Sequence, residues 1–411
     1  MSVRRISAFI AIRTLGVLAI AQLVPYSPGR VIADGDVHLY ADWAARWSGG
    51  YLPYRFFHLE YPPGILPFLK LPAPSQGVYE MEFVALALLA DVAILLLLRR
   101  RARGNLAAWL WIAAPLALGT VMWTRLDIFV ALLLLAAVVS MERRSYAWAG
   151  VALAGAALLK LWPLLLVVAF AIAVRERRAA DRIVGAASGV LAVVIVPMLL
   201  AGAGPGLLWM LRYHSARGLE LEAIPALPLH VMRVFGDTLP SGAGYGSMQF
   251  VGFAAVVTVA ALAMYGSWLL VLAAAARRRL PAAHLLLLMV ILTLLTSKVL
   301  SPQYMIWAVG AVALVVDDVV DGPRLACWTL LACVSAQAIF PFTFFQVVDA
   351  EPSGELTAIL HGLVVIAFSA VAIHQLFARR HEDSVALASV EELPRPKLAA
   401  AAPAGATAVA S

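Results

Sequence analysis

Apolar runs bounded by charged or Gly/Pro-rich segments recur along almost the whole chain. The pattern predicts membrane spans near residues 6–24, 79–98, 106–123, 127–141, 147–160, 162–174, 183–201, 249–276, 284–297, 303–316, 324–341 and 356–377. The expected fold class is therefore an all-α integral membrane protein, a polytopic helical bundle of about 12 spans. Several runs fall short of the ~20 residues a full crossing needs. Short helices are tolerated where they line a protein cavity rather than lipid. The pair 147–160 and 162–174, joined at Lys160-Leu161-Trp162-Pro163, predicts a helical hairpin whose tip stops short of, or just reaches, the far surface.

Two long polar interruptions, 25–78 and 202–248, break this pattern. In the first, Val37, Leu39, Tyr40, Trp43, Ala44 and Trp47 recur at helical spacing, which predicts an amphipathic helix lying in the membrane interface. Gly49-Gly50 stops it, Tyr61-Pro62-Pro63-Gly64 predicts an extended turn, and residues 65–71 predict a second interfacial piece. The second interruption is rich in Gly and Pro and carries Arg212, His214, Arg217, Glu220, Glu222 and His230. Residues 1–378 thus read as one transmembrane domain and 379–411, rich in Ala and Pro, as a disordered cytoplasmic tail. Ala19-Ile20-Ala21 has the small-residue pattern of a cleavage site, but the run before it is long enough to serve as an uncleaved first span.

Composition supports the membrane reading. The chain is 63% hydrophobic and 13% charged, against roughly 25% charged in soluble domains. The net charge of +7 sits in short basic clusters between apolar runs, where it sets orientation and does not argue for nucleic-acid binding. With the N-terminus in the cytoplasm, 21 of the 31 Lys and Arg fall on or near that side, Arg13 counted among them. The bias predicts cytoplasmic termini and places the remaining polar residues on the outer face of the plasma membrane. Cys327 and Cys333 lie in one apolar run at a spacing that points them to different faces of a helix, so no disulfide is expected. Neither a GxxxxGK[ST] nor a GxGxxG loop is present.

Motifs in several of these outer segments occur in a familiar order. Asp34-Gly35-Asp36-Val37-His38-Leu39-Tyr40 is followed by Gly49-Gly50, Pro53-Tyr54 and Tyr61-Pro62-Pro63. Arg125-Leu126-Asp127, Lys160-Leu161-Trp162-Pro163, Tyr213-His214 with Arg217 through Glu222, and Lys298 through Tyr304 with Trp307 come later. Over roughly residues 6–377 the chain resembles the polyprenol-phosphate-mannose-dependent mannosyltransferases of the GT-C fold, and it is similar to the mannosyltransferase subunit of the GPI-anchor pathway. The resemblance implies a donor whose sugar is linked through one phosphate to a long isoprenoid, reached sideways from the bilayer. The implied acceptor is a glycolipid, a glycan or a small molecule, and the implied stereochemical course is inversion.

In that scheme a carboxylate takes the acceptor hydroxyl's proton as the oxygen attacks the anomeric carbon. Asp36 is the expected base, with Asp34 as substitute. Lys160, Arg217, Lys298 and Arg125 are the expected cations for the leaving phosphate, whose charge grows in the transition state. His38, Tyr61, Asp127, His214, Glu222, Gln303 and Tyr304 are expected to bind substrate. Simpler roles compete: the aspartates can cap a helix, Arg125 and Asp127 can form a structural ion pair, and Lys160 can extend to the surface without a partner. No obligatory cofactor or metal is expected, because basic side chains can neutralise one phosphate, although the Asp-x-Asp pair leaves oxygen ligands for a divalent ion open. A carrier or flippase using the same cations, or a ligase or polymerase of lipid-linked glycans, are the alternatives.

Overall fold

The computed structural model describes residues 3–24, 35–72, 76–101, 104–277 and 280–378, so Asp34 and the tail 379–411 lie outside the described residues. The chain is an all-α bundle. Its helices are α1 (Val3–Ile20), α2 (Asp36–Ser48), α3 (Leu66–Lys70), α4 (Gln76–Arg101), α5 (Leu106–Leu118), α6 (Asp127–Glu142), α7 (Tyr146–Leu159), α8 (Leu164–Ala173) and α9 (Arg177–Leu200). They continue with α10 (Gly204–Ala216), α11 (Leu227–Val234), α12 (Ala254–Ala276), α13 (Ala282–Thr296), α14 (Tyr304–Ala313), α15 (Gly322–Gln337), α16 (Phe344–Val348) and α17 (Pro352–Phe377).

Among the described residues, five helical stretches are long and apolar enough to cross a membrane: Val78–Arg101, Arg177–Leu200, Ala254–Ala276, Gly322–Val348 and Pro352–Phe377. The sequence pattern predicts more. The runs expected to span at 147–160, 162–174, 284–297 and 303–316 are helices of 10–17 residues, which at 1.5 Å per residue fall short of a ~30 Å hydrocarbon layer. The physical reason is visible in their surroundings. Every residue of α14 from Met305 to Ala313 is buried, and α13 is buried on most sides, so their apolar character answers to protein neighbours rather than to lipid. An apolar run in a sequence does not distinguish the two.

The predicted hairpin forms, with α7 packed between α6 and α9 and turning at Lys160 into α8. The predicted interfacial helix is α2, which buries Val37, Tyr40, Ala41, Trp43 and Ala44 and contacts α3 and α4. It stops at Gly49-Gly50, where Gly50 takes φ +95°, a left-handed conformation that only glycine adopts without a Cβ penalty. The following Tyr61-Pro62-Pro63-Gly64 turn rests on the end of α7. A Cβ on Gly64 would come within 2.6 Å of the Leu158 carbonyl, so the close approach needs glycine.

The second interruption is folded. It contains α10, α11 and a three-stranded antiparallel sheet of β1 (Leu219–Glu220), β2 (Ser241–Gly244) and β3 (Ser247–Phe250) in the order β1-β3-β2. Strands β2 and β3 form a hairpin whose tip, Tyr245-Gly246, has φ of +50° and +71°, as a two-residue turn matched to strand twist requires.

One contact inside the bundle was not foreseen. Arg13, assigned above to the cytoplasmic charge, is buried in α1 and pairs with Asp91 in the middle of α4. Asp91 accepts from Arg13 Nε at 2.9 Å, Arg13 Nη2 at 3.0 Å, Trp111 Nε1 at 2.8 Å and Trp123 Nε1 at 2.8 Å. Arg13 also donates to the Ile112 carbonyl at 2.7 Å. Each charge is well hydrogen-bonded, which is the condition under which a buried pair is tolerated, and removal of one partner costs about 3–5 kcal/mol. We expect Asp91→Leu alone to lower the melting temperature sharply in detergent and Arg13→Met with Asp91→Leu to recover part of the loss, since the Trp111 and Trp123 N–H groups stay unpaired in both; equal melting of the single and double variants would contradict this.

Candidate active site

Asp36 is the first residue of α2, and its placement follows from the buried face of that helix. Tyr40, one turn on, is fully buried and donates to Asp36 Oδ2 at 3.3 Å, while Tyr61 from the Pro-Pro turn donates to the same oxygen at 3.1 Å. Arg125, which precedes α6 by two residues, sets its Nε 3.3 Å from that oxygen. These three contacts all engage Oδ2. The two hydroxyls stand 3.1 Å apart, so Tyr40 shares its one proton between the carboxylate and Tyr61.

On the neighbouring wall, α7 ends at Lys160. Its ammonium lies 3.6 Å from Asp127 Oδ1 and over the rings of Tyr61, Tyr304 and Trp307 at 5.0, 5.6 and 5.9 Å. Tyr304 and Trp307 are stacked at 4.3 Å. An opposite charge and aromatic faces together hold a cation that burial alone would disfavour. Arg217, just beyond α10, reaches Glu220 of β1 at 3.9 Å. His214 donates from Nε2 to the Glu60 carbonyl at 2.7 Å, which ties α10 to the segment before Tyr61.

These groups line one polar cleft of two joined chambers. The smaller, about 90 Å³, is lined by Asp36, Glu60, Tyr61, Pro62, Lys160, His214, Arg217, Glu220, Gly246, Ser301, Gln303 and Tyr304. The larger, about 250 Å³, shares Asp36, Glu220, Gly246, Ser301 and Gln303 with it and adds Arg125, Glu222 and the apolar edge of Ile339, Phe340, Phe344 and Val347. Pro62 also lines an almost wholly apolar groove of about 440 Å³ between α7, α9 and α10, whose walls include Leu158, Leu191, Ile195, Leu199 and Leu207.

The cleft thus brings together Asp36, Arg125, Lys160, Arg217, Tyr61, His214, Glu222, Gln303 and Tyr304, all named from the sequence. Three others are placed differently. Asp127 is fully buried behind Lys160 and lines neither chamber. Lys298, expected to face phosphate, donates to the Ser215 carbonyl at 2.8 Å and to the Arg217 carbonyl, so its ammonium supports the backbone that carries Arg217. His38 is half-buried on α2 and lines neither chamber. Glu60, Glu220, Tyr40 and Ser301 belong to the stretches read above but were not expected among the site residues. Glu60 directly precedes the Tyr-Pro-Pro turn and Tyr40 lies four residues after Asp36, a helical neighbour position that could have marked it. Among the described residues no group of three or more His, Cys, Asp or Glu is arranged to hold a metal ion.

Burial shapes the acid-base character of the lining. It raises Glu60, an effect opposed by a hydrogen bond from Tyr213, and it raises Glu222 well above the usual carboxylate range. Glu220 is pushed up to about 7 by burial against the opposing pull of Arg217. His214 falls to about 4, again mainly through burial, and is neutral near pH 7.

The profile of glycosyltransferase family 87 matches residues 57–302. That is more than half of the chain, and the chain belongs to this family of membrane glycosyltransferases. The matched stretch contains Glu60, Tyr61, Arg125, Lys160, Arg217 and Glu220, and Asp36 precedes it. No curated protein matches the sequence.

The raised Glu220 has a consequence for stability. Between the ordinary carboxylate range and about 7, the folded state keeps a proton that the unfolded state has released, so this group's stabilisation falls as pH rises through that window. Glu220→Gln removes the effect. We expect the variant to gain melting temperature over wild type at pH 8 and not at pH 4; the same difference at both values would contradict the assignment.

Proposed function

We propose that this family 87 glycosyltransferase moves a hexose, mannose by the resemblance of its motifs, from a polyprenyl-phosphate donor to an acceptor hydroxyl at the outer face of the plasma membrane. The observation that carries the reading is the wall that two cavities share at Pro62. Pro62 lines both a chamber holding Lys160 and Arg217 and an apolar groove between helices, so the two lie side by side, the combination an isoprenoid chain ending in one phosphate requires. The phosphate is read by the two cations, and the isoprenoid by the groove.

In the reaction the acceptor occupies the larger chamber, where Glu220 and Glu222 accept from its hydroxyls and Phe340 and Phe344 offer an apolar edge. Asp36, shared by both chambers, takes the proton of the attacking hydroxyl. A new C–O bond forms at the anomeric carbon as the bond to the phosphate oxygen breaks, and the electron pair leaves with the phosphate. One displacement inverts the anomeric configuration. Because Oδ2 of Asp36 is occupied by Tyr40, Tyr61 and Arg125, Oδ1 serves as the base. Lys160 and Arg217 stabilise the charge that grows on the phosphate. Groups of this kind contribute roughly 3–4 kcal/mol each in a water-poor site. Arg125 orients Asp36, and Lys298 holds Arg217 from behind.

The test is transfer from radiolabelled polyprenyl-phosphate mannose in membranes, with octyl α-mannoside as acceptor. We expect Asp36→Asn to lower transfer by at least about 100-fold and Lys160→Met by about 100-fold to 1,000-fold, with both proteins folded. Transfer that survives chelation would support Lys160 and Arg217 as sufficient for the phosphate. Wild-type rates in Asp36→Asn would remove the proposed base.

A further inference from the structure

The walls of the larger chamber are tied together by a buried ionic network that none of the steps above uses. Glu355, in the first turn of α17, is 1% exposed. Its Oε1 accepts from Arg233 Nη1 at 2.9 Å, and its Oε2 lies 2.6 Å from His230 Nδ1. His230 and Arg233 sit one turn apart on α11, a spacing that directs both to one neighbour. The other ring nitrogen of His230, Nε2, donates to the Leu221 carbonyl at 2.7 Å. One proton therefore lies between Glu355 and Nδ1, and a second is given to Leu221.

The network ends on the chamber itself. Leu221 and Val347 both line it; the first is held by His230, and the carbonyl of the second lies 3.4 Å from Arg233 Nη1. Leu221 also donates its own N–H to the Met248 carbonyl at 3.1 Å, and Met248 lines the chamber too. Arg233 closes the far side with two bonds to the Leu239 carbonyl, at 2.6 and 3.1 Å, and lies over the Phe250 ring, which His230 meets edge-on. Leu221 is thus pinned at both its N–H and its C=O, and it lies between Glu220 and Glu222.

We infer that His230 is a positioning residue for the acceptor: its hydrogen bond to Leu221 sets the Glu220 and Glu222 wall at the separation from Val347 that the acceptor fits. The inference rests on the reading of the larger chamber as the acceptor subsite. Apolar residues of similar volume would stabilise such a buried position at least as well as ions do, but they would give the Leu221 carbonyl no partner.

Two amides separate position from stability. Asparagine at 230 places its amide near Nδ1, toward Glu355, and stops short of Leu221; glutamine reaches the Nε2 position and can donate to Leu221. Both variants and Glu355→Gln, whose amide can still engage Arg233 and His230, are purified and compared with wild type. Octyl α-mannoside is the acceptor and polyprenyl-phosphate mannose the donor, with donor hydrolysis in the absence of acceptor read on the same samples.

His230→Asn is expected to raise the KM for octyl α-mannoside about tenfold, the effect of one lost hydrogen bond, with donor KM and hydrolysis unchanged. His230→Gln and Glu355→Gln are expected to stay within about threefold of wild type, since both keep a donor at Leu221. Equal acceptor KM in all four proteins, equal losses in the Asn and Gln variants, or parallel changes in donor and acceptor parameters would overturn the inference. Failure of the transferase reading shows separately, as no label released or transferred by any of the four proteins.

Discussion

A charge removed from water must be matched by an opposite charge or by hydrogen bonds, and in an apolar bundle that requirement governs where functional groups can stand. Among the described residues five ionic pairs stand inside the bundle or at its cleft: Arg13 with Asp91 at 2.9 Å, Asp36 with Arg125 at 3.3 Å, Lys160 with Asp127 at 3.6 Å, Arg217 with Glu220 at 3.9 Å and Arg233 with Glu355 at 2.9 Å. The first and last pairs are close and well hydrogen-bonded, and they join helices. The middle three are longer and stand at or behind the cleft. Longer contacts leave part of each group's capacity for a ligand, which is what separates a site from a structural lock.

The same requirement explains the short helices. Lys160 lies at the end of α7, where a hairpin too short to cross the bilayer brings a cation beneath the Tyr-Pro-Pro turn. The aromatic rings around it and Asp127 behind it make its burial tolerable. Gly64 lets the turn approach α7 closely, and Tyr61 then reaches both Asp36 and the face above Lys160. Local backbone geometry and the electrostatics of the cleft are therefore set by the same few residues.

Much of this is legible in the sequence because the polar residues of the cleft stand at the ends of apolar runs, where a charge has few reasons to be. Arg125 and Lys160 can be named on that ground, whereas Asp36, Arg217 and Tyr304 are named through the resemblance of their motifs. Arg13 and Asp91 cannot be paired, since each lies within a different apolar run and they are 78 residues apart. Lys298 carries the same signal as Lys160, and only the geometry shows that carbonyl oxygens occupy its ammonium. Hydropathy overstates the reach of α13 and α14 because it does not tell a helix surrounded by protein from one surrounded by lipid. Asp34 lies outside the described residues, so the choice between it and Asp36 rests on the contacts Asp36 makes.

The central claim is a division of labour within one cleft, with the cations holding the lipid phosphate and Asp36 acting only on the acceptor. Equilibrium binding of polyprenyl phosphate to purified wild type, Asp36→Asn and Lys160→Met tests it most directly. The account predicts wild-type affinity in Asp36→Asn and at least about a tenfold loss in Lys160→Met. Full affinity in Lys160→Met, or loss in Asp36→Asn alone, would contradict it.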